Sequence, residues 1–131
     1  MEKSIAFYRD YLGMKLRMEL DIQDHRIDRV IGSKGAKCRI VHLELDGAIL
    51  ELFEYYAPVG GQNTAAVTNQ YDKGFNHICF EVDNFHSHIS ELTKKGIKFL
   101  GEPIEFRPNV WVVYFYGPDG EVCEFRQSAE E

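Results

Sequence analysis

Two short stretches of this chain put a carboxylate in the same slot. Residues 46–52 read DGAILEL and residues 119–125 read DGEVCEF, so that Glu51 and Glu124 each follow an Asp-Gly pair inside an apolar, strand-like run. Side chains alternate across a strand, which sets Leu50 and Leu52 on one face and Ile49, Glu51 and Phe53 on the other. By the same rule Cys123 and Phe125 oppose Val122, Glu124 and Arg126. In FNHICFEV, residues 75–82, the packing face is Ile78, Phe80 and Val82, leaving His77, Cys79 and Glu81 opposite. In CRIVHLEL, residues 38–45, Val41, Leu43 and Leu45 point inward and Ile40, His42 and Glu44 lie on the open face. Two carboxylates and one or two imidazoles are therefore expected to share one sheet surface. Such a set of oxygen and nitrogen donors suits a divalent metal such as Zn²⁺, Ni²⁺, Mn²⁺ or Fe²⁺ with coordination positions left for substrate. The same residues also fit a second reading, as solvated side chains of an open sheet face.

The elements that must position these groups follow from periodicity. SIAFYRDYLG, residues 4–13, carries Ser4 as N-cap, Ile5, Tyr8 and Leu12 at helical spacing and Gly13 as a stop, predicting an amphipathic helix. KLRMEL reads as a strand, and residues 21–37 as an irregular polar stretch. The runs 38–45 and 48–56 alternate around Asp46-Gly47, a strong hairpin signal. Residues 57–74 have no sustained period and read as a connection. NFHSHISELTKKG, residues 84–96, predicts a helix capped by Asn84 and stopped by Gly96, and VWVVYFY, the turn GPDG and EVCEFRQ predict a closing hairpin.

Residues 12–16 and 95–99 match at an offset of 83, while the Asp-Gly turns and their glutamates match at 73. This is the mark of a duplicated unit of strand, helix and three strands, with module one at 1–56 and module two at 75–127. The second copy opens with the strand that carries His77. The first begins at its helix, so its opening strand, and a counterpart of His77 about six or seven positions before Met1, are expected to be absent from the chain.

Composition bounds the function classes. The 131 residues are 44% hydrophobic and 27% charged with a net charge of −6, which fits one globular domain with a packed core. An acidic surface without a basic stripe argues against nucleic-acid or anionic-membrane partners. No apolar run is long enough to span a membrane and the N-terminus has no signal core, predicting a cytoplasmic protein. Cys38, Cys79 and Cys123 lack metal or disulfide spacing and read as buried free thiols.

EKSIAFYRDYLGMKL (2–16), ILELFEYYAP (49–58), GFNHICFEVDNF (74–85) and YGPDGEVCEF (116–125) resemble the glyoxalase, bleomycin-resistance and extradiol-dioxygenase group, also called the vicinal oxygen chelate superfamily. The resemblance covers nearly the whole chain. It implies an α+β fold of two βαβββ modules whose curved mixed sheets surround a cavity, with a metal bound by the first and last strands of each module. Carried over, it implies Glu51, His77 and Glu124 as ligands of one divalent metal (Zn, Ni, Mn or Fe), and the fourth ligand, a first-strand His, has no position here. The His, Glu, His, Glu set resembles glyoxalase I more than the dioxygenases, with His, His and Glu, or the methylmalonyl-CoA epimerases, with Gln at the place of Glu51. That likeness implies a lactoylglutathione lyase-like enzyme in which the metal acidifies a C–H beside a carbonyl, Glu124 is the base and Glu51 its counterpart. Metal-free drug-binding members and dioxygenases are the alternatives, and a homodimer with shared cavities acting on a small molecule is expected.

Around these, His42, Arg107, Tyr114 and Arg126 are candidates for substrate binding, with plain cavity-lining or surface roles as alternatives. Trp111, Tyr114 and Tyr116 read as cavity-lining or core. His86 and His88 stand two apart on a helix, cannot chelate together and read as surface residues. Lys34, Lys37 and Arg39 read as a solvated loop.

Overall fold

The computed structural model describes residues 1–61 and 69–128. The chain divides into two compact units, Met1–Gln62 and Asn63–Glu131, each built on its own sheet.

In the first unit a helix, α1 (Glu2–Ile5), runs on as a π-helix over Ala6–Tyr11. The predicted helix is thus present, but it starts three residues earlier, with Met1 rather than Ser4 at the N-cap, and Ser4 lies buried inside it. Gly13 takes φ +75, the left-handed conformation that ends the helix without a Cβ penalty. Strands β1 (Lys15–Ile22), β2 (Lys37–Leu45) and β3 (Ala48–Ala57) form an antiparallel sheet in the order β1-β2-β3. Asp46 at φ 49 and Gly47 at φ 83 make the two-residue turn between β2 and β3, the positive-φ pair that matches strand twist.

Residues 21–37 depart from the expected irregular stretch. Asp21 and Ile22 extend β1, and α2 (His25–Ile31) follows. Asp24 accepts the Arg26 N–H as N-cap and Gly32 closes the helix at φ 66. The Arg26 side chain and backbone hydrogen bonds hold the Asp24 carboxyl down to about 2. Ile27 of α2 packs with Ala36, Cys38 and Ile40, joined by Met18, Leu20, Ile22 and Ile31. Ile40 is therefore buried under α2 rather than open. Val41 and Leu43 are fully buried on the opposite face of β2. On that face Arg39 pairs with Glu19 of β1 and Glu2 of α1, tying helix to sheet. Lys37 and Arg39 belong to β2 rather than to a solvated loop, and Arg39 is engaged with carboxylates.

In the second unit β4 (His77–Glu81), α3 (Phe85–Lys94), β5 (Ile104–Arg107), β6 (Val110–Tyr116) and β7 (Val122–Gln127) follow one another. The sheet order is β4-β7-β6-β5, with β4 parallel to β7 and the other pairs antiparallel. Helix α3 packs on β7: the His88 ring lies 5.6 Å from Phe125, and the Phe85 ring stacks on Trp111 of β6 at 5.9 Å. His86 packs on the same Trp111 at 4.5 Å. His86 is exposed, as expected, whereas His88 is half-buried against Phe125. Asn84 adopts φ 51 without a side-chain cap, and Gln127 accepts the Phe85 N–H instead at 2.9 Å.

The α+β architecture expected from the sequence is present, with a four-stranded mixed sheet in one unit and three strands in the other. Among the described residues β7 has a neighbour on both edges and β3 on one.

Candidate functional site

Four groups with chemical potential converge in the second unit. The parallel register sets His77 beside Val122 and Cys79 beside Glu124, while the β6–β7 register sets Tyr114 across from Glu124. These side chains lie on the face away from α3, as strand alternation requires. Glu124 is 9% exposed, the one charged residue buried among the described residues. A buried carboxylate is costly unless partnered. Its Oε2 stands 3.0 Å from His77 Nε2, and the Tyr114 ring lies 4.9 Å from the His77 ring. Burial, and then Glu124 and Cys79, push the Tyr114 phenol up, so it keeps its O–H as a donor.

Cys79 is exposed, against expectation, whereas Cys38 and Cys123 are buried. Its thiol lies within hydrogen-bonding reach of Glu124; desolvation first, then the charges of Glu124 and Glu81, push it up to about 11. Against a free thiol near 8.5, the thiolate fraction at pH 8 falls on the order of 100-fold. Iodoacetamide at pH 8 is expected to label Cys79 correspondingly slowly, and Glu124→Gln to speed the reaction. Mass-spectrometric labelling rates check this, and labelling of the wild type as fast as free cysteine would refute it.

Farther along the same face Arg126 approaches Glu81 at 3.9 Å, beyond hydrogen-bond distance. Its Nε is buried without a hydrogen-bond partner, and Glu81 accepts the Ser128 N–H at 2.6 Å instead. Arg107 ends β5, two strands away from β7, and is not gathered with Glu124. A cleft of about 340 Å³ is lined by Leu100, Ile104, Phe106, Val112 and Tyr114, with Glu102 as its one charged residue. Tyr114 links this mainly apolar cleft to His77 and Glu124.

In the first unit His42 and Glu51 face each other across β2 and β3, with Nε2 and Oε1 2.6 Å apart. They occupy the sheet row next to the one where α2 covers Ile40. Phe53 and Tyr55, on the face of Glu51, stack at 5.7 Å.

Each unit thus holds one imidazole–carboxylate pair. Two donors at about 2.1 Å from one ion and at a right angle stand about 3.0 Å apart, the spacing of the pair in the second unit. His77 Nδ1 is buried without a hydrogen-bond partner, so the ring retains donor capacity. The nitrogen and oxygen donors fit a divalent ion, although no three His, Cys, Asp or Glu side chains are gathered around a common point among the described residues.

The family model of the Glyoxalase/Bleomycin resistance protein/Dioxygenase superfamily matches residues 1–125. The chain belongs to this superfamily. Human mitochondrial methylmalonyl-CoA epimerase is 28% identical to this glyoxalase-superfamily chain over 133 residues, covering 98% of the chain and 68% of the relative. A probable lactoylglutathione lyase of Synechocystis is 27% identical, over 100% and 89% of the two chains. Among solved structures, a glyoxalase family protein of Bacillus cereus superposes with a TM-score of 0.91 at 18% identity, covering 99% of this chain and 87% of its own. That likeness shows the glyoxalase-superfamily fold. No helix among the described residues is long and apolar enough to cross a membrane.

Proposed function

We propose that the chain is a divalent-metal-dependent lyase or isomerase of glyoxalase I type, acting on a small carbonyl or thiol-adduct substrate through an enediolate. The observation that carries this reading is the buried Glu124 carboxylate with an imidazole nitrogen 3.0 Å away at the end of an apolar cleft.

In this reading Glu51, His77 and Glu124 are each metal-ligating residues, as the superfamily pattern implies. When bound, the ion supplies Lewis acidity that makes the C–H beside a carbonyl more acidic and stabilises the charge that develops. The protein residues do the rest. Glu124 keeps one oxygen toward His77 and has a second with which to take the proton and return it to the neighbouring carbon, with Glu51 as its counterpart. The Tyr114 O–H is available to orient a substrate oxygen. The cleft beside it binds the apolar part of the substrate and keeps water from the reacting carbon.

The epimerase relatives support a second reading, proton abstraction beside a thioester carbonyl, which draws on the same carboxylates. Assays of the protein loaded with Zn²⁺, Ni²⁺, Mn²⁺ or Fe²⁺ separate the readings. Glutathione–methylglyoxal hemithioacetal is expected to be converted to thioester, and EDTA to stop the reaction. Deuterium incorporation into methylmalonyl-CoA without hemithioacetal turnover supports the epimerase. Oxygen uptake with catechols points to a dioxygenase, and absence of both metal and turnover leaves a metal-free small-molecule-binding protein. On the main reading the working form is a cytoplasmic homodimer, to be measured by sedimentation.

A further inference from the structure

The two sheets repeat one plan and differ at His42. Glu51 and Glu124 follow the same Asp-Gly sequence into the last strand of each sheet. Directly across the antiparallel neighbour, Glu124 meets Tyr114 and Glu51 meets His42. On its other edge Glu124 has the parallel strand β4, which carries His77, whereas β3 has no strand there among the described residues. Each carboxylate nevertheless meets one imidazole nitrogen, at 3.0 Å in the second unit and 2.6 Å in the first. The imidazole comes from the outer neighbour in one unit and from the inner neighbour in the other.

This exchange is possible because directly opposed residues of an antiparallel pair have Cβ atoms about 5 Å apart, within reach of His and Glu side chains. Filling the sheet face does not require an imidazole, since a tyrosine occupies the equivalent position beside Glu124. The His42 and Glu51 side chains are 28% and 47% exposed, so an ion from solvent can reach them.

We propose that His42 is a metal-ligating residue, the nitrogen donor of the first unit, giving Glu51 the imidazole partner that His77 gives Glu124. The inference rests on the divalent-metal reading above. Binding puts the ion between Nε2 and Oε1 in place of their direct contact, and a small rotation of the exposed side chains opens the 2.6 Å gap to ligand spacing.

The test uses the full chain, stripped of metal and titrated with Co²⁺, with binding followed by visible absorption and calorimetry and the ligating rings by paramagnetically shifted imidazole resonances. His42→Gln keeps a hydrogen-bonding partner for Glu51, which His42→Ala would remove. Wild type is expected to bind Co²⁺ with shifted His42 and His77 rings. His42→Gln is expected to weaken binding about 100-fold or more, beyond what loss of an orienting residue outside the ligand set usually costs, and comparably to His77→Gln. If wild type and His42→Gln bind equally, or if His42 shows no paramagnetic shift while His77 does, the assignment of His42 is overturned and the metal reading stands. If wild type binds neither Co²⁺ nor Zn²⁺, both fall.

Discussion

Replacing Glu124 by Gln is expected to lower kcat for hemithioacetal isomerisation about 1,000-fold with the fold intact. The amide has nearly the size of the carboxylate, so the buried position on β7 stays filled and the β4–β7 and β6–β7 ladders are untouched. It cannot accept and return a proton, and positioned proton transfer is worth roughly 100- to 10,000-fold. Because Glu124 is also assigned to the metal, the variant is assayed at saturating metal with affinity measured separately. A kcat reduced less than about tenfold under those conditions would remove Glu124 from the role of base.

Phe115→Ala is expected to destabilise the protein by about 3–5 kcal/mol. Phe115 is fully buried on β6, its ring 4.6 Å from Phe125 and 6.3 Å from Phe99, on the face of the sheet that packs against α3. Deleting the ring leaves a cavity that rigid strands cannot collapse into. Thermal unfolding should fall by roughly 10 to 20 °C for a chain of this size. Ile49→Ala is the control: Ile49 is 53% exposed on β3, and its loss is expected to cost no more than about 0.5 kcal/mol. Equal losses for the two variants would mean that the stability of the chain does not reside in this core.

What the sequence revealed, and what it hid, follow from the range of the interactions involved. Alternation correctly assigned His77, Cys79 and Glu124 to one face of the second sheet, because a period of two is a local property of the strand. It did not reveal that Cys79 lies beside Glu124, since the register of parallel strands is not set by a turn between them. The pairing of His42 with Glu51 was legible in principle. A two-residue turn at Asp46-Gly47 sets Leu45 against Ala48, and counting back along both strands brings His42 opposite Glu51. Helix α2 was missed although Asp24 and Gly32 are proper end signals, because seven residues with Ile27, Val30 and Ile31 are too few to show a period. Its stability comes from packing on Ala36 and on Cys38 and Ile40 of the strand that follows it, contacts that the helix's own seven residues do not display. Ser4 has the chemistry of a cap, but it is buried within α1, so tertiary packing overrode the local preference.

The tight turn between β2 and β3 also constrains how the gene can change. Inserting or deleting a single residue between His42 and Glu51 reverses the facing of one strand relative to the other, sending one of the two groups to the opposite side of the sheet. Point substitutions there act one side chain at a time, whereas a single-codon length change separates the pair at once. Descendants of this chain should therefore vary in length between β1 and β2, where α2 forms a separate capped piece, and hold the spacing of 42 to 51 constant.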